Sequence, residues 1–192
     1  MKSTCQISPP RATRDLDSNP VSSSPLLVKT PEDLDKVDGI ILPGGESTAM
    51  SKISSYNNLY KKLDTKIKQG LPTLSTCAGT IILAKSVIDG DTHIPNIDIE
   101  IQRNAYGRQN ESFEADVKFL NNNDIYCFIR APKIIRTLNN DVKVIATHIE
   151  DIVGVSQDNI VSLTYHPELT NDNYYLEWLL AFMKEGKYVG SF

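Results

Sequence analysis

The chain has 192 residues, 40% of them hydrophobic and 23% charged, which predicts one globular domain rather than a repeat array or a fibre. A chain this long buries roughly 70% of its unfolded surface, so it needs no disulfide or structural metal to hold a core. With 20 basic and 24 acidic residues, a net charge of −4, no basic stripe and no apolar run near ~20 residues, the sequence excludes a nucleic-acid binder and a helical membrane span.

Three cysteines, Cys5, Cys77 and Cys127, are odd in number and widely spaced, which argues against a disulfide framework or a zinc site. A reducing, cytoplasmic setting is the expectation. Residues 1–25 carry four prolines, many hydroxyl residues and little apolar periodicity. They are predicted to form a flexible or atypical arm ahead of a domain spanning 26–192.

Beyond the arm, short apolar runs alternate with amphipathic stretches, the pattern of β-α units around a mostly parallel sheet. LLVK at 26–29 is a strand candidate, PEDLDKV at 31–37 a helical turn or two, and GIIL at 39–42 a buried strand stopped by Pro43-Gly44-Gly45. A helix is predicted from Ser47, with Met50, Ile53, Leu59, Leu63 and Ile67 on one face and Gly70 ending it. Residues 71–76 form the next predicted strand and 78–87 the apolar helix after it. Strands of mixed direction follow at 97–102, 125–129 and 142–147. IVSLTY at 160–165 is the last strand. The final helix should bury Tyr175, Trp178, Leu179 and Phe182.

Cys77, in STCAGT, falls where a strand turns into a helix. Amide N–H groups and the helix dipole stabilise negative charge at such a turn, and Ala78 and Gly79 allow close backbone packing. His166-Pro167-Glu168 closes the last strand, at the carboxyl end where α/β sheets build sites. His166 is suited to take a proton from Cys77, and Glu168 to hold the other imidazole nitrogen. A buried structural cysteine and a solvent-edge histidine are the alternatives. The glycines of the 43–48 segment, PGGEST, can aim backbone N–H groups at a ligand, or simply form a turn with Ser47 as helix cap. Without a following Gly-Lys-Ser/Thr it is no phosphate-binding loop. Arg103 and Arg130, at predicted strand ends, could each hold a carboxylate bidentately or serve in a salt bridge. His93 and His148 sit among polar residues with no such neighbours.

Five blocks in order, ILPGGEST, TCAG, RNAYGRQNESFE, FIRAP and HPEL, resemble the glutaminase subunit of pyridoxal 5′-phosphate synthase, within the class I, triad-type glutamine amidotransferases. The resemblance spans about 26–182. It implies a three-layer, flavodoxin-like α/β sandwich with Cys77 as nucleophile, His166 as general base and acid, and Glu168 as orienting carboxylate. Glutamine contacts are implied at Gly45, Glu46, Ser47, Arg103, Ile129 and Arg130, and oxyanion donors at Gly44, Gly45 and Ala78. It also implies hydrolysis of L-glutamine without metal or cofactor, and ammonia channelled to a (β/α)8-barrel synthase subunit that makes the vitamin B6 cofactor.

Two departures stand out. The family carries glycine two residues before the nucleophile, where this chain has Ser75. The family also begins with a hydrophobic strand, a Leu-Gln-Gly loop and a helix, and nothing in residues 1–25 resembles that unit. The first β-α unit is therefore expected to be missing or altered, leaving an exposed sheet edge beside 40–42. A catalytically weak or silent binding subunit of the same complex is the alternative function that this departure suggests.

Overall fold

The computed structural model describes residues 24–45, 58–103, 105–106, 112–119, 122–171 and 173–185. Pro31–Asp35 is a 3-10 turn that begins with proline and buries Leu34 completely. Strand β1 is Ile40–Leu42, with Ile40 and Leu42 turned inward and Ile41 outward. Helix α1, Leu59–Lys68, buries Leu63 and Ile67 as the periodicity predicts, and the chain leaves it through Gly70 at φ 100°. The predicted first half of that helix, with Met50 and Ile53, lies outside the described residues, as does the 1–23 part of the predicted arm.

Strand β2 is Thr73–Thr76 and helix α2 is Ala78–Leu83, with Cys77 between them. The apolar stretch predicted as one helix over 78–87 divides here. Ala84 turns extended at ψ 141° and Ala84–Ile88 runs on as β3. That strand gains a parallel ladder on β4, Ile97–Gln102, which outweighs the helical propensity of an alanine-leucine run. The chain then folds through β5 (Ser112–Phe119), β6 (Asn122–Ile129), β7 (Lys133–Thr137), β8 (Lys143–His148), β9 (Asp151–Gln157) and β10 (Ile160–Leu163). A second 3-10 turn, Pro167–Leu169, precedes α3, Tyr174–Glu185.

The ten strands among the described residues join one sheet, with β1-β2-β10-β9-β7-β4-β3 as its spine. Strand β8 branches from β9 and carries the β5-β6 hairpin. The strands β1, β2 and β10 are mutually parallel, but antiparallel pairings outnumber parallel ones among the described residues, so the mostly parallel sheet expected from the sequence is corrected to a mixed one. The reason lies in the β5-β6, β8-β9 and β9-β10 connections, where short turns leave no room for crossover helices and force hairpins. LLVK forms no strand: Leu26 and Leu27 are exposed and only Val28 packs on the core.

Two apolar clusters fill the two faces. On one, Leu63, Ile67 and the α2 residues Ile81, Ile82 and Leu83 pack on Ile40, Leu42 and Ile160. On the other, Tyr175, Trp178, Leu179 and Phe182 of α3 cover Leu74, Val161 and Leu163. Alternate side chains of β10 thus feed opposite cores, as a strand's period of two requires, and the result is a three-layer α/β sandwich. Each large side chain so buried contributes about 1.5–3 kcal/mol. Among the described residues β1 is an edge strand, paired with β2 alone.

Candidate active site

The parallel strands β1, β2 and β10 end side by side, and their carboxyl ends supply Gly44, Cys77 and His166. Cys77 holds φ 48° and ψ −109°, a conformation that costs a non-glycine residue about 1–3 kcal/mol. Several fixed contacts offset it. The Cys77 N–H donates to Leu163 O at 2.9 Å, and the Thr80 N–H to Cys77 O at 3.1 Å. Gly79 brings α2 against the end of β1, where a Cβ would lie 2.1 Å from Leu42 O. The turn projects the sulfur to the edge of β6, where it donates to Ile129 O at 3.6 Å.

His166 is anchored by its N–H on Cys127 O at 2.9 Å, so β6 positions both the sulfur and the imidazole. Nδ1 lies 2.7 Å from Glu168 Oε1. Nε2 is buried without a hydrogen-bond partner among the described atoms, and the Cys77 sulfur also acts on the ring. Burial opposes the charged imidazolium, but the Cys77 sulfur and then the Glu168 carboxylate more than offset it, and the pKa of His166 is pushed up to about 10. Gly44 completes the cluster: a Cβ there would lie 2.4 Å from His166 Cε1 and 3.3 Å from Cys77 Cβ, so one point touches both side chains. The Gly44 N–H donates to Thr76 Oγ1 at 3.2 Å.

Gly44, Cys77, Ile129, His166 and Glu168 therefore meet at one place, and Ala78 opens α2 directly behind the sulfur. Gly45 continues the β1 loop and is exposed, while Glu46 and Ser47 lie outside the described residues. Arg130 follows Ile129 at φ 47°, a left-handed corner that turns the chain away from β6. Arg103 ends β4 against Gly90, whose added Cβ would lie 2.9 Å from Arg103 Cδ, and its charge helps hold the pKa of His93 down, after the larger effect of burial. His148 bonds Asp116 O through Nδ1 at 2.8 Å, away from the cluster.

Two features had no prominence in the sequence. Tyr106, within RNAYGRQ, stacks edge-on against Phe113 and Phe128 and donates to Asp151 Oδ2 at 3.2 Å, and Asp151 also pairs with Lys133 at 2.7 Å. Burial, then the Asp151 charge, push the Tyr106 phenol up beyond the ordinary tyrosine range. The ring thereby ties the block to β6, the strand that ends at Ile129. Opposite the cluster, at the start of β10, a cleft of about 490 Å³ is lined by Lys85, Asn96, Asp98, Gln157 and Asn159. Its carboxylate Asp98 is taken up by Lys85, Gln157 and Asn139. Among the described residues no group of three or more His, Cys, Asp or Glu side chains is arranged to hold a metal ion, and no helix is long and apolar enough to cross a membrane.

A buried, strained cysteine at a strand-to-helix turn, facing a histidine held by a carboxylate, is an arrangement for attack on an acyl carbon. The family model that matches residues 13–185 is that of the SNO glutamine amidotransferases. The chain belongs to the SNO glutamine amidotransferase family. It is 45% identical over 158 residues to pyridoxal 5′-phosphate synthase subunit PdxT of Thermococcus onnurineus, covering 80% of each chain. It is 48% identical over 160 residues to the protein of the same name from Thermotoga petrophila, covering 79% of this chain and 85% of that one. A crystal structure of a glutamine amidotransferase superposes with a TM-score of 0.76 at 32% identity, over 82% of this chain and 85% of the other. The family match begins at residue 13, inside the segment that the sequence alone set apart as an arm.

Proposed function

We propose that this SNO-family chain hydrolyses L-glutamine to L-glutamate and ammonia, and that the ammonia serves a pyridoxal 5′-phosphate synthase. The observation that carries the reading is the convergence of Cys77, His166 and Glu168 around the side-chain-free Gly44. Cys77 as thiolate attacks the side-chain amide carbon of glutamine, and the C–N bond breaks as His166 passes its proton to the departing ammonia. His166 then takes a proton from water, which attacks the thioester and releases glutamate with the thiolate restored. Glu168, accepting a hydrogen bond from Nδ1–H, keeps Nε2 toward the sulfur and stabilises the imidazolium.

The negative oxygen of each tetrahedral intermediate is assigned to the amides of Ala78 and of the Gly44-Gly45 loop. Since the Gly44 N–H already donates to Thr76 Oγ1, Gly45 and Ala78 are the donors available without rearrangement. Glutamine's α-carboxylate and α-amino group are assigned to Arg103, Arg130, Ile129 and the Gly45, Glu46, Ser47 segment. The ammonia acceptor is assigned to a (β/α)8-barrel synthase subunit. No cofactor enters these steps. Neither Cys77 nor Cys127 forms a disulfide among the described residues, and a nucleophilic thiol at Cys77 fits a reducing, cytoplasmic compartment.

The edge position of β1 among the described residues favours a second reading, a weakly active or silent subunit that keeps only the binding surface. Ammonia release from glutamine by the full chain, with and without a pyridoxal 5′-phosphate synthase barrel subunit, decides between them. The glutaminase reading expects turnover that Cys77→Ser abolishes. Equal, background release by both proteins in the presence of the synthase would establish the silent subunit instead.

A further inference from the structure

Beneath Cys77, three hydroxyl side chains from three elements meet in the core. Ser75 of β2 and Ser162 of β10 face each other in the parallel register, and their oxygens are 2.6 Å apart. Thr80 of α2 reaches Ser75 Oγ at 3.1 Å and donates to Leu163 O at 2.7 Å. All three are fully buried, at 0% exposure.

Each hydroxyl has a single proton, which fixes the direction of the chain. Thr80 gives its proton to Leu163 O, so Ser75 must donate to Thr80, and Ser162 to Ser75. The chain ends on a carbonyl that also receives the Cys77 N–H at 2.9 Å. Leu163 O therefore binds both the nucleophile's own backbone and the first turn of the helix behind it. A buried, fully connected network of this kind holds its members in one arrangement, because any break leaves a polar group unpaired in the core. The φ of 48° at Cys77 is the strain that such a network has to hold.

We propose that Ser75, Ser162 and Thr80 form a hydroxyl brace that sets the Cys77 backbone for attack, which makes them positioning residues of the hydrolysis. This rests on Cys77 being the nucleophile of the proposed function. It also gives a role to Ser75, the residue that departs from the family's glycine: in a glycine's place its hydroxyl links Ser162 to Thr80.

The test compares Thr80→Val, Thr80→Ser and Ser162→Ala in the full chain with the synthase subunit present, reading kcat and KM for glutamine. The rate at which iodoacetamide alkylates Cys77 is read in parallel. Thr80→Val keeps the side chain's shape and removes the proton on Leu163 O. Its kcat is expected to fall ~10-fold with KM changed less than ~2-fold, because small misplacements of a reacting group slow chemistry more than binding. Alkylation should slow by a similar factor, and Thr80→Ser should restore both. Wild-type kcat and wild-type alkylation in Thr80→Val, whatever its melting temperature, would overturn the brace. Should Thr80→Val not fold, Ser162→Ala, which removes only the far end of the chain, carries the same expectation at ~3-fold, and no change in it overturns the brace equally. Alkylation needs no turnover: if the wild type released no ammonia beside its synthase, the proposed function would fail, while the alkylation rates would still decide the brace.

Discussion

Gly79 lies so close to Leu42 that a Cβ on it would come within 2.1 Å of the Leu42 carbonyl oxygen and 2.9 Å of its carbon. Backbone stands on both sides of the contact, so no rotamer change relieves it. Gly79→Ala is expected to push α2 off β1 and to cost about 1–3 kcal/mol of stability, with Cys77 displaced at the same time. Denaturant unfolding should record the loss as a lower midpoint at unchanged slope, and glutamine hydrolysis should fall with it. A variant as stable as the wild type would mean that the helix and strand can separate without cost.

The charge on His166 sets a pH window. Its folded pKa, about 10, stands above the ordinary 6.5, so the stabilisation it brings is fully present below about pH 6.5 and is lost as pH rises through about 10. Removing either raising group should bring the value down, Cys77→Ser first and Glu168→Gln second, in the order of their effects on the ring. Nuclear magnetic resonance titration of the His166 ring would measure both shifts. The alkaline limb of kcat/KM in Glu168→Gln should move to lower pH accordingly, and an unmoved limb would detach Glu168 from the imidazole's chemistry.

Gly44 separates catalysis from folding. A methyl group there meets the His166 ring at 2.4 Å, yet the residue sits at the open end of an edge strand and not in either core. Gly44→Ala should therefore reduce kcat by ~100-fold through displacement of His166, while the melting temperature changes little. Equal loss of both would show that the loop is part of the fold's support.

Much of this site was legible in the sequence because its parts are local. A strand, a small-residue turn and an apolar helix around Cys77, or a His-x-Glu after the last strand, can be recognised within ten residues. The helix ending at Gly70 and the buried face of α3 were legible for the same reason, being set by a 3.6-residue period. What escaped is non-local. Strand β7 exists as a ladder on the distant β4, and Ala84–Ile88 is extended because β4 lies beside it. Ser75 finds Ser162, far along the chain, only through the pairing of β2 with β10. Tyr106 likewise finds Asp151 only through the tertiary fold.

The two arginines assigned to glutamine should not respond alike. Arg130 follows directly on Ile129, whose carbonyl accepts the Cys77 thiol, so its backbone is fixed within one residue of the reacting sulfur. Arg103 stands over the β3-β4 turn, against Gly90 and beside His93. Lysine in either place keeps the charge but loses the planar fork that binds a carboxylate with two parallel hydrogen bonds. If Arg130 holds the α-carboxylate, Arg130→Lys should raise the KM for glutamine by ~10-fold with kcat nearly unchanged, the mark of binding lost equally from ground and transition states. Arg103→Lys should raise it less, because the nearby turn, and not the cysteine, fixes where that side chain starts. Steady-state kinetics of the two variants beside the wild type, at saturating synthase, would measure the difference. A larger KM effect at Arg103 would reverse the assignment and place the α-carboxylate toward β4, and wild-type KM in both would leave these arginines to structural ion pairing.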